Sequence, residues 1–149
     1  MYDRQRNFTT RLAMAIVFIV WSFSGAAPGT LAAQAGPDVT TVLQRLGIPA
    51  ATLDDVHYDA VEVACQSAQR GSNCDVNFAT RSDQMCRAVA VDVALRYRAE
   101  QMRDGGSAEV VMHVRCGKGV FAVFQTSARR AVMGHRDAQG NTGHREIPL

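Results

Sequence analysis

The chain has 149 residues, with 16 basic side chains against 14 acidic ones, and four cysteines. A balance this near neutral excludes the strongly basic stripe of a nucleic-acid-binding domain. Only Lys118 is a lysine, so arginine carries nearly all the positive charge.

The first segment has the three parts of an export leader in order. Arg4, Arg6 and Arg11 give a positive start, Leu12–Trp21 is an unbroken apolar run, Gly25 and Pro28 end it, and Ala33-Gln34-Ala35 offers a small-x-small cleavage pattern. Residues 1–35 are therefore expected to be a cleavable signal peptide and residues 36–149 a single exported domain. The apolar run is shorter than the roughly 20 residues that a spanning helix needs. No stable membrane span is expected after cleavage, and the destination reads as periplasmic or secreted. With the leader removed, the domain is balanced in formal charge. Residues 36–80 hold six acids against two arginines, and residues 127–149 hold four arginines against two acids.

Val39 to Leu46 reads as a short helix closed by Gly47 and Pro49. Two alternating runs follow. Val61, Val63 and Cys65 alternate with Glu62 and Ala64, and Cys74, Val76 and Phe78 alternate with Asp75 and Asn77, the period of half-buried strands. Gln69-Arg70-Gly71-Ser72 between them is turn material. Four cysteines allow three pairings. One hairpin register puts Cys65 opposite Cys74, Val63 opposite Val76 and Val61 opposite Phe78, and it keeps all the apolar residues on one face. The register favours Cys65–Cys74, which leaves Cys86–Cys116. Zinc is the competing use of four cysteines, but no C-x-x-C pair is present.

A long helix is expected from Ser82 as N-cap to about Arg103, with Gly105-Gly106 ending it. Cys86, Val89, Ala90, Val93 and Tyr97 form its apolar stripe, while Arg87, Asp92, Arg96 and Arg98 mark a wetter side. Val110–Val114 and Val120–Phe124 read as a second hairpin, with Gly117 taking the positive φ of the turn and His113 facing Ala122. A third, weaker hairpin is expected over residues 130–148. The fold class is α+β: an antiparallel β-sheet of four to six strands built from hairpins, packed against one long α-helix and stapled by disulfides.

Three groups of residues could carry chemistry. His57, Asp59 and Glu62, with His113 as a further histidine, are an acid–base candidate for a small exported hydrolase. His135 and His144 would face each other across a two-residue Gln139-Gly140 loop and form half of a metal site. There is no G-x-S-x-G, phosphate loop, C-x-x-C or haem-attachment pattern, so no cofactor is expected. Size, export and staples point to a binding module for another envelope or extracellular protein, such as an inhibitor or neutraliser of an envelope-targeted enzyme. A binder would expose an apolar patch, with Tyr58 or Phe124 as its aromatic. The small hydrolase and an envelope assembly accessory are the alternatives.

Overall fold

The structure, a computed structural model, describes residues 36–68 and 71–149; the expected leader lies outside the described residues. In chain order come α1 (Val39–Leu46), two 3-10 segments (Ala50–Leu53 and Tyr58–Ala60), β1 (Val61–Ala68), β2 (Gly71–Phe78) and α2 (Asp83–Arg103). β3 (Val110–Cys116), β4 (Val120–Thr126), β5 (Arg130–Arg136) and β6 (Thr142–Pro148) follow. The fold is α+β, a six-stranded sheet packed against one long helix and stapled by two disulfides.

The strands lie across the sheet in chain order, and every neighbouring pair is antiparallel except β2–β3. The sheet is thus mixed rather than wholly antiparallel, and α2 is the reason. Its 21 residues extend about 31 Å, far enough to carry the chain back along a strand so that β3 starts at the same end as β2. Parallel neighbours require such a crossover.

α2 is N-capped by Ser82, whose hydroxyl accepts a hydrogen bond from the Met85 N–H at 3.2 Å and so satisfies one of the orphaned donors of the first turn. It ends at Asp104. Gly105 then takes a left-handed φ of 77°, and the Gly106 N–H bonds back to the Gln101 carbonyl at 2.7 Å.

The helix rests on β3 and β4, and α1 and the Ala50–Leu53 segment pack on it as well. A helix enclosed this way has no single apolar face. Asp92 and Arg98, expected on the wetter side, are only 3% and 5% exposed. Arg98 donates to the carbonyls of Ser127 (3.3 Å) and Ala128 (3.4 Å) in the β4–β5 turn, and burial pushes its guanidinium below its ordinary pKa.

Cys65 lies directly opposite Cys74, with Val63 opposite Val76 and Val61 opposite Phe78, and the two cysteines are disulfide-bonded. Cys86 in the first turn of α2 is bonded to Cys116 at the end of β3, which ties the helix to the sheet it covers. Paired cysteines of this kind belong to an oxidising compartment. No helix among the described residues is long and apolar enough to cross a membrane. In the β3–β4 turn the positive φ falls on Lys118 and Gly119 rather than on Gly117.

Candidate functional site

The acid–base candidates do not converge. His57, which precedes the Tyr58–Ala60 segment, and Asp59 within it are exposed, and Glu62 is exposed on edge strand β1. Glu62 sits opposite Asn77, on the sheet face away from α2. His113 is on that same outer face of β3 but opposite Val123, not Ala122, and its ring centroid lies 6.4 Å from that of Phe121.

It is Tyr58, between His57 and Asp59, that makes the specific contact. Its hydroxyl donates to the buried carboxylate of Asp92. Arg96 donates to the other Asp92 oxygen at 3.1 Å and stacks its guanidinium 4.9 Å from the centroid of the Tyr58 ring. Burial first, and the hydrogen bond to Asp92 second, push the Tyr58 phenol well above the usual tyrosine range. The cluster clips the Tyr58–Ala60 segment to α2. Its signal in the sequence is a single acid inside the run Ala88-Val89-Ala90-Val91-Asp92-Val93-Ala94-Leu95, a charge that must be paired if the run is buried.

His135 and His144 are not opposite one another. The register is Gly134 with His144 and His135 with Gly143, so the two imidazoles leave opposite faces of the sheet. The cause is the loop. Asp137 accepts from the Gln139 N–H at 3.0 Å, the Asn141 N–H at 2.8 Å and the Asn141 side-chain amide at 2.9 Å. That bonding holds a loop longer than the expected two residues and moves the pairing by one. His135 turns inward, where its ring lies against Gly143 and fills the space that a Cβ there would take. Its Nε2 is 3.9 Å from Asp83 Oδ2, an oxygen that also accepts from Arg87 Nε at 2.9 Å. The His135 Nδ1 is buried. With one nitrogen turned to Asp83 and the other buried, the imidazole has none aimed at a substrate, and general-base work needs one. No group of three or more metal-ligating side chains forms among the described residues.

The remaining feature is the outer face of the sheet, away from α1 and α2. The registers line its side chains in rows. One row runs Asn73, Val111, Gln125, Val132, Glu146. The next runs Asp75, His113, Val123, Gly134, His144, and the third Asn77, Arg115, Phe121, Arg136, Thr142. Val111, Phe121, Val123 and Val132 are half-exposed and adjacent, on a face that is usually polar in a one-sided sheet. The aromatic on it is Phe121, because the strand period buries Phe124 completely. Over Gly134 the face sinks into an open hollow of about 470 Å³ walled by Phe121, Val123, His135, Arg136 and Thr142. A larger cleft of about 680 Å³, polar and glycine-lined, lies at the end of α2 between Tyr97, Gln101 and Ser72.

Compared with known protein-family models, curated proteins and solved structures, the chain matches none.

Proposed function

We propose that this chain is an exported, periplasmic or secreted, disulfide-stapled binding module that engages another envelope or extracellular protein through the outer face of its sheet. The observation that carries the reading is the apolar patch of Val111, Phe121, Val123 and Val132 at the centre of a sheet face that no element among the described residues covers. Contiguous apolar surface rimmed by polar and charged groups marks interaction sites in soluble proteins. Disulfides and a helix packed on the opposite side hold the face rigid, so little ordering cost falls on association. An envelope-targeted enzyme that the module inhibits or neutralises is the partner class that small size and export favour.

The test is retention of proteins from the extracytoplasmic fraction of the source cell on the immobilised, oxidised chain. Val123→Glu places a charge at the centre of the patch, and Glu100→Gln alters the helix side as a control. A partner held by the unaltered chain and by Glu100→Gln, but held at least about tenfold more weakly by Val123→Glu, supports the reading. A partner retained equally by all three overturns it.

A further inference from the structure

Resting on that reading of the sheet face, we propose that the hollow over Gly134 is an anchor pocket for one apolar side chain of the partner polypeptide, flanked in the partner by carboxylates.

Gly134 carries the argument. It sits inside β5 between Met133 and His135, where glycine weakens a strand and often marks a close approach by something else. Its φ is not in the left-handed region, so the backbone does not require glycine. A Cβ added there would meet nothing within 4 Å, so internal packing does not require it either. Gly143 on the neighbouring strand is the contrast: the ring of His135 occupies the space its side chain would take. Gly134 is a strand glycine whose empty volume faces the hollow, where Phe121 and Val123 supply apolar walls and His135, Arg136 and Thr142 the rest of the lining. The hollow suits a leucine- or phenylalanine-sized group, and burying such a group is the main source of affinity at interface centres.

The rim sets the flanking chemistry. From β3 to β6 the two rows through the hollow hold Arg115, Arg136, His113 and His144 and no carboxylate. Arg136 Nε donates to the carbonyl of Gly119 at 3.2 Å, which brings it beside Lys118 in the β3–β4 turn. The carboxylate nearest to Arg115 is Asp75 at 4.0 Å, with both side chains well exposed. A pair of that kind is weak and leaves Arg115 able to meet a second acid. An apolar anchor with acidic neighbours fits both the hollow and its rim.

The experiment is an NMR titration of the isotopically labelled, oxidised protein with the blocked peptide Glu-Asp-Phe-Asp-Glu. One control peptide has lysines for the acids and another has alanine for the phenylalanine. The expected result is movement of the Val123, Gly134 and Arg136 amide signals with the first peptide, and at least about tenfold weaker binding of each control. Gly134→Val fills the hollow with a good strand former. It is expected to abolish peptide binding while the unfolding temperature stays the same or rises. Arg136→Gln should weaken the acidic peptide and flatten its salt dependence. Equal binding of all three peptides, or Gly134→Val binding like the unaltered chain, overturns the anchor pocket. The two readings fail separately. If a natural partner is lost with Val123→Glu yet is untouched by Gly134→Val, the anchor falls and the sheet face stands.

Discussion

Asp92 is the residue on which the helix layer turns. A carboxylate 4% exposed in its side chain is costly to bury unless paired, and here it accepts from both Tyr58 and Arg96. Tyr58→Phe removes one of those donors and should cost about 1–2 kcal/mol. Asp92→Ala removes the shared acceptor and should cost more, about 3 kcal/mol, since it leaves the Tyr58 hydroxyl unpaired; the solvent-exposed Arg96 moderates the loss. Urea denaturation followed by circular dichroism measures both. The raised Tyr58 phenol has a pH consequence of definite sign. The group is favoured neutral in the fold, so its contribution is complete below the ordinary tyrosine pKa and is lost as pH rises beyond about 10. The unaltered chain should lose stability in that range more steeply than Tyr58→Phe. Parallel curves for the two would contradict the assignment.

At the scale of elements, the disulfides differ in the length of chain they close. Cys65–Cys74 spans a sequence separation of 9 and Cys86–Cys116 one of 30. Loop-closure entropy assigns them about 2.7 and 3.7 kcal/mol. The Cys86→Ala/Cys116→Ala pair of substitutions should therefore lower the urea midpoint further than Cys65→Ala/Cys74→Ala. The reverse order would mean that the β1–β2 hairpin, not the α2 staple, limits stability. Asp137 governs the last hairpin. Hydrogen bonds from Asn141, with the side-chain amide leading, hold its carboxyl below its usual pKa. Its contribution is present above the ordinary carboxylate range and is lost as pH falls. Asp137→Ala should speed hydrogen exchange at the Gln139 and Asn141 amides while leaving those of β3 protected.

These loops also explain what the sequence discloses and what it hides. The β1–β2 register is legible because two cysteines and an apolar alternation agree on it. In the β3–β4 and β5–β6 hairpins the strands are legible but the registers are each displaced by one residue. Lys118 takes a positive φ that composition assigns to Gly117, and the Asp137 bonds lengthen the other loop. A single step of that kind separates His135 from His144 and places His113 opposite Val123. The burial of Asp92 and Arg98 is hidden for a different reason: Tyr58 and the Ser127–Ala128 turn meet them from a distance along the chain, and a helical period reports only local spacing.

Taken whole, the sheet and helices of the described residues are one-sided. The inner face of the sheet is filled by Val76, Met112, Val114, Phe124 and Met133 against the helices. The outer face keeps Phe121, Val123 and Val132 half-exposed around a glycine hollow, with arginines and histidines about it. The sequence makes the parity of each strand, and hence this division, readable once burial of one residue per strand is known. It does not reveal the hollow, which depends on Gly134 standing between Val123 and His144 across two registers.

Site-specific photocrosslinking in the living source cell asks whether the outer sheet face is the working surface. A photoreactive phenylalanine is placed in turn at Val123 and Val132 on that face, and at the exposed Gln84 and Met102 of α2. The expected result is a common protein adduct from Val123 and Val132, absent from Gln84 and Met102. Adducts confined to the α2 positions, or none from the sheet face, would rule out the sheet face as the working surface.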